Sequence, residues 1–226
     1  MNSLHIERFS APLINRNEIM RYCGGSFPEW DQLTKQLLSE LSNELCYSVC
    51  YRLVDVIHQK DGCLDLGFFK TDSSDLKRNL KKSEKAVIFA ATVGLGVERA
   101  INKYSVLSPT CALIADAIGT ERIEALADAL CERLKAHYGN LCPRFSPGYG
   151  DLPLALQRDI FSALDCHKSI GLSLNESLMM SPQKSVTAIV GILPPENGLC
   201  RQTDAVDNKC QNCKNMSCAY RKMLEY

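Results

Sequence analysis

The sequence predicts an α+β fold with long helices packed on a sheet, and three observations carry that reading. Ala86-Val87-Ile88-Phe89-Ala90-Ala91-Thr92-Val93 is a continuous apolar run that reads as a strand buried on both faces. Beyond Pro109, apolar residues recur at helical spacing through Leu113, Ala117, Ile123, Leu126, Ala127, Leu130 and Leu134. Strand and helix signals then mix without the regular alternation that a doubly wound parallel sheet requires.

The elements follow in order. Pro28, Glu29 and Asp31 make a good helix start, with proline in the first turn and acids at the positive end of the dipole. Leu33, Leu37, Leu38, Leu41 and Leu45 continue it at helical spacing. Around Tyr47 the composition turns β-branched and aromatic, and Val49, Tyr51, Leu53 and Asp55 read as one side of a strand. Leu64 to Phe69 is a second short strand, and Asp72 to Ser74 caps a polar helix reaching about Lys82. The strand at Ala86 runs into Gly94-Leu95-Gly96 and a helix; a dinucleotide-binding turn would need a third glycine, which is missing. Pro109 opens the longest helix, with Gly119 as a possible kink and Gly139-Asn140 as its end. Pro153 starts another helix to about Ser169, and Ser185 to Ile192 is the final strand. Pro194-Pro195-Glu196-Asn197-Gly198 marks a boundary, giving a domain over 1–195 and a cysteine-rich tail over 196–226.

Bulk properties narrow the function. The 226 residues suffice for one substantial core, with 46% hydrophobic and 23% charged content. Twenty-six basic residues balance 26 acidic ones, so nothing points to nucleic acid or to a charged membrane surface. No apolar run approaches membrane-spanning length, and the first residues lack the hydrophobic core of a signal peptide; a cytoplasmic location is expected. In a reducing compartment the 12 cysteines are thiols or metal ligands, and Cys111, Cys131, Cys142 and Cys166 suit small buried hydrophobes. Cys46 and Cys50 flank a strand start without a clear role.

Arg144-Phe145-Ser146-Pro147-Gly148-Tyr149 is the most informative segment. Pro147 fixes its own φ and Gly148 supplies the positive φ of a type II turn, so helix cannot continue through it. Arg144 offers a planar five-donor fork suited to a carboxylate. An ordinary connector carrying a surface arginine is the alternative that these six residues leave open.

The order of features from Thr92 to Ile192 resembles the activation domain of cobalamin-dependent methionine synthase. Arg144, Gly148 and Tyr149 match its Arg-x-x-x-Gly-Tyr motif after a long helix. Ile170-Gly171-Leu172-Ser173-Leu174-Asn175-Glu176-Ser177 looks like its Ile-Gly-x-x-Leu-x-Glu-Ser segment, and Met179 to Val186 like its Met-x-Pro-x-x-Ser-Val turn and strand. Ile123-Glu124-Ala125-Leu126-Ala127-Asp128 and Glu132-Arg133 resemble the acidic helix that precedes the motif. The resemblance implies a mixed, mainly antiparallel sheet and a methyltransferase component that acts only with a partner chain. It would bind S-adenosylmethionine and support reductive methylation of cob(II)alamin on a separate cobalamin-dependent methionine synthase or related corrinoid protein, with a low-potential electron donor. Arg144 would hold the ligand carboxylate, and the turn at Ser146 and Gly148 would contact the nucleoside or amino-acid part. Tyr149 would line the pocket where the sulfonium meets the corrin, as the catalytic position, and Glu124 would be an acidic ligand contact. Solvated helix for Glu124 and a packed turn aromatic for Tyr149 are the alternatives. The family's early acidic residue has no clear equivalent; Glu18 and Asp31 are the nearest. Asp165-Cys166-His167 to Gly171 approaches the corrinoid signature Asp-x-His-x-x-Gly, but its glycine comes one residue late, so cobalamin is expected on the partner.

The tail carries Cys200, Cys210, Cys213 and Cys218 among polar residues. A Cys-x-x-Cys pair with two further thiolates completes a tetrahedral zinc site or an iron–sulfur cluster, and a metal would supply folding free energy that this polar tail lacks. The electron needed by cob(II)alamin favours iron–sulfur. Two other functions remain open on sequence: an iron–sulfur or other metal-dependent electron-transfer activator of another corrinoid methyltransferase, and a structural docking module without ligand. Full-length protein purified anaerobically should show iron–sulfur absorbance or about one zinc per chain. A Cys210→Ser, Cys213→Ser double variant should lose it, and metal-free wild-type protein would overturn the assignment.

Overall fold

Residues 3–195 are described by the structure, a computed structural model. In chain order the elements are β1 (Leu4–Arg8), α1 (Arg16–Tyr22), α2 (Trp30–Leu41), β2 (Ser48–Asp55), β3 (Ile57–His58), β4 (Leu64–Asp65), β5 (Lys70–Thr71), α3 (Ser74–Asn79) and β6 (Lys85–Thr92). They continue with α4 (Gly96–Leu107), α5 (Pro109–Tyr138), a 3₁₀ turn at Leu154–Leu156, α6 (Gln157–Leu164), α7 (Cys166–Ile170), β7 (Ser173–Leu174), β8 (Met180–Ser181) and β9 (Ser185–Ile192). The fold is α+β, as the sequence predicts.

The main sheet has the order β1-β2-β6-β9, antiparallel throughout. β6 lies at its centre, and Phe89 stands opposite Tyr51 of β2 and Ala188 of β9. The pleat sends alternate residues to opposite faces. Ala86, Ile88 and Ala90 join one core with residues of α3, α6 and α7, while Val87, Phe89 and Ala91 join another with α5. Covering both faces explains why β6 is apolar without alternation. A third core, formed by α1, α2, α4 and α5, centres on Ile19, Trp30, Leu37, Ile114 and Ile118. Each large side chain removed from water in these cores contributes about 1.5–3 kcal/mol.

α5 runs unbroken for 30 residues, started by Pro109 and by Ser108, whose side chain accepts from the Cys111 N–H. Gly119 therefore does not kink it. A Cβ there would stand 2.5 Å from Val97 Cγ1, so the glycine permits close approach of α4. Other expectations change too. Of Leu64 to Phe69 only Leu64–Asp65 is strand; a turn follows, in which the Asp65 carboxylate accepts from Gly67 N–H at 2.8 Å, and β5 begins at Lys70. The helix expected to reach Lys82 ends at Asn79. The helix expected from Pro153 to Ser169 divides into the 3₁₀ turn, α6 and α7, because Asp165 at φ 44° sits between the last two. β1 and α1 carry no apolar periodicity strong enough to predict them: β1 is an edge strand with largely exposed residues.

The N-terminal segment is held by a buried ion pair on α5. Arg122 and Glu121 are 1% and 3% exposed. Arg122 donates to both Glu121 carboxylate oxygens at 2.6 Å, and to the Pro12 and Leu13 carbonyls at 2.6 and 2.7 Å. Glu121 Oε1 also accepts from the Asn15 N–H at 2.9 Å. Each charge is thus both paired and hydrogen-bonded, the condition under which burial is tolerated. Arg122→Ala strands Glu121 and should cost about 3–5 kcal/mol in urea unfolding. A loss below about 1 kcal/mol, the scale of an exposed pair, would contradict this role.

Candidate functional site

Ser146-Pro147-Gly148-Tyr149 forms the predicted turn. The Tyr149 N–H donates to Ser146 O at 3.1 Å, and Gly148 has φ +90°. That is the position where a type II turn demands glycine, and Leu154 Cδ1 would lie 3.3 Å from an added Cβ. Hydrogen bonds from Gly148 N to Leu152 O at 2.9 Å and from Leu152 N to Tyr149 O at 3.0 Å close the loop. Upstream, Phe145 exchanges two backbone bonds with Ile189 of β9, at 2.9 and 2.8 Å. Downstream, the Asp151 carboxylate accepts from Ser73 Oγ, from Ser74 N at 2.7 Å and Oγ at 2.6 Å, and from Asp75 N at 3.2 Å. The loop is therefore fixed to β9 at one end and to the start of α3 at the other.

Arg144 reaches α5. Its Nη2 donates to Glu124 Oε2 at 2.8 Å, and its Nη1 lies 2.9 Å from Asp128 Oδ1. The two acids are four residues apart on one helix face. The arginine side chain is 25% exposed, against 47% for Glu124 and 72% for Asp128. Burial pushes the nearby Cys131 thiol up, and the charge of Arg144 acts in the opposite direction. The resemblance implies separate contacts of Arg144 and Glu124 with one ligand; the structure joins the two side chains to each other.

A cleft of about 370 Å³ opens beside the turn. Ser146, Pro147 and Tyr149 form one wall, and Met179, Met180 and Val186 belong to the other. The two motifs, 30 residues apart in sequence at their near ends, meet there. Gly148 sits within the turn, and Arg144 lies just before it without lining the cleft. Tyr149 is 63% exposed and meets Phe145 edge to face with centroids 6.4 Å apart, so it is not a packed turn aromatic. Gln157, which carries no sequence signal, also lines the cleft. Among the lining side chains there is no Asp, Glu, His, Lys or Cys. Such a cleft is furnished chiefly to bind and position.

Other sequence candidates lie elsewhere. Glu18 pairs with Arg21, and Asp31 pairs with Arg16 at 2.8 Å. Cys111, Cys142 and Cys166 are buried and Cys131 partly so, in the manner of small hydrophobes. Cys200, Cys210, Cys213 and Cys218 fall outside the described residues. Among the described residues, no group of three or more His, Cys, Asp or Glu side chains is placed to hold a metal ion, and no helix is long and apolar enough to cross a membrane.

No protein-family model matches the chain, and no curated protein does. Among solved structures, it is similar to the crystal structure of the MetH reactivation domain bound to AdoHcy, with a TM-score of 0.63 and 17% identity over 88% of this chain and 81% of that one. The two share a fold.

Asp151 gives the site a pH signature. Its hydrogen bonds to Ser73 and Ser74 hold its carboxyl well below the usual carboxylate range. A depressed folded-state pKa means that the unfolded chain binds the proton more readily, so stability rises with pH through this window. The contribution is complete above the unfolded value of about 3.9 and lost as pH falls through the folded one. Asp151→Asn should therefore lower stability at neutral pH, with the gap to wild type narrowing below about pH 4. Parallel unfolding curves at all pH values would remove Asp151 as the anchor.

Proposed function

We propose that the chain is an accessory component that binds S-adenosylmethionine and supports reductive methylation of cob(II)alamin on a partner cobalamin-dependent methionine synthase or related corrinoid protein. The observation that carries this reading is the meeting of the Arg144–Tyr149 turn with the Met179–Val186 segment at one cleft. The shared fold with a domain bound to AdoHcy supports it.

The amino-acid end of such a ligand carries a carboxylate and an ammonium. Arg144 suits the first, while Glu124 and Asp128 suit the second. Together the three side chains sum to one negative charge, and S-adenosylmethionine, with its sulfonium, ammonium and carboxylate, to one positive charge. The methyl donor thus matches the site in charge, and its demethylated product, with no net charge, matches less well. Ser146 stands at the wall of the cleft, and exposed Tyr149 offers an aromatic face suited to a sulfonium at the open side. S-adenosylmethionine supplies the methyl group; the chain's own part is to hold and aim it. The electron would come from a low-potential donor, by way of a metal on the tail cysteines if they carry one.

Calorimetry with S-adenosylmethionine tests the first half. Wild type should bind, and Arg144→Ala should lose roughly 1.5–3 kcal/mol, the scale of charge-assisted hydrogen bonds. Equal affinities would remove Arg144 from the site. The second half is tested with a cob(II)alamin-loaded methionine synthase lacking its own activation domain. Methylcobalamin should form only when this protein, S-adenosylmethionine and a low-potential reductant are all present, and an equal rate without this chain would overturn the proposal.

A further inference from the structure

Gln157 is the one cleft-lining residue with an unmet polar requirement among those described. It opens α6, and its backbone N–H bonds back into the 3₁₀ turn at Leu154. The residue is 4% exposed. Its side-chain Oε1 is shielded from solvent and accepts from no protein donor. A buried acceptor left unpaired opposes folding, and one on a cleft-lining residue acquires a partner when a ligand brings a donor and the side chain turns to meet it. Around it the cleft is walled by Leu154, Leu178, Met180 and Val186. Largely apolar walls around one buried acceptor, with Gln183 and Thr187 as further polar residues of the lining, suit a flat heteroaromatic ring bearing an amine.

Resting on the proposal that this cleft takes an S-adenosyl ligand, we propose that Gln157 reads the adenine base, its Oε1 accepting from the exocyclic amine. The amino-acid end of the ligand is matched by charge at Arg144 and Glu124, and charge cannot tell one nucleoside from another. A carboxamide that spans N6 and N7 together can: its Oε1 accepts from the 6-amine while its Nε2 donates to N7, whereas a 6-oxo purine presents two acceptors there. A site built to pair a substrate N–H rejects the analogue that lacks it, since its own polar group is then left unpaired. Gln157 is thus a specificity residue for the base.

The test compares S-adenosylhomocysteine with its deaminated analogue, S-inosylhomocysteine, on wild type and on Gln157→Met, which keeps length and removes the acceptor. Wild type should prefer the adenosyl ligand about tenfold, and the variant should bind it several-fold more weakly with the preference reduced to near unity. Because methionine replaces an unpaired buried acceptor, the melting temperature of the free variant should not fall. Equal binding of the two ligands by wild type would overturn the assignment of Gln157 alone, as would an unchanged preference in the variant. Wild type that binds neither ligand would overturn the S-adenosyl reading of the cleft and this assignment with it.

Discussion

The arrangement depends on one helix, and on a buried charge pair within it. Arg122 and Glu121 on α5 are almost wholly withdrawn from water, and what makes that bearable is the completeness of their bonding to each other and to the backbone at Pro12, Leu13 and Asn15. The pair ties the segment after the edge strand to the helix that covers the sheet. One turn later the same helix presents Glu124 and then Asp128 to Arg144. Gly119, one turn earlier, lets α4 press close through Val97. Three consecutive turns of α5 thus set the N-terminus, the neighbouring helix and the arginine of the candidate site, and a shift in its position would disturb all three together.

Much of the fold was legible because burial leaves a strong imprint on strands. β6, packed on both faces, shows as a continuous apolar run, and β9 beside it as Ser185 to Ile192. The long helix was legible from its spacing and from Pro109. The parts that could not be read are those where local signals are weak or conflict with tertiary ones. β1 gains its place from pairing with β2, not from an apolar face. The break between α6 and α7 turns on Asp165 adopting positive φ, which an aspartate tolerates and does not announce. At the site, the turn chemistry of Pro147 and Gly148 was fully readable. The ion pair between Arg144 and Glu124 was not, since it joins residues 20 apart through the packing of α5. Asp128, four residues beyond Glu124, was within reach of a helix-face argument. Gln157 gave no sequence signal, because an unpaired buried amide is visible only once its surroundings are known.

Arg144 illustrates how a site can be charged, partly buried and still stable without ligand. A lone guanidinium at that depth would carry a desolvation penalty with nothing to offset it. With Glu124 and Asp128 in contact, the charge of the guanidinium is already countered in the free protein, although its buried Nη1 makes no hydrogen bond, and a zwitterionic ligand end would exchange one set of ion pairs for another. The net gain from such an exchange is modest compared with the gross strength of each contact, which is why truncating the arginine is expected to matter on the scale of a single charged hydrogen bond.

The width of the cleft is set by a strand and not by the loops that line it. Phe145 is bonded to Ile189, while Val186 and Thr187, earlier on the same strand, line the cleft. The three steps along the chain from Val186 to Ile189 span about 10 Å at the rise of a β-strand. β9 is locked in register along β6 for its whole length. Loops are mobile as a rule, yet here the anchor of the Arg144 turn and part of the opposite wall stand on one rigid strand, and the capping of α3 by Asp151 restrains the turn's far end. Positioning within a few tenths of an ångström, which group transfer demands, is achieved where binding groups rest on such elements. The sheet thereby does for the cleft what α5 does for Arg144: it turns a sequence motif on a surface loop into a fixed geometry.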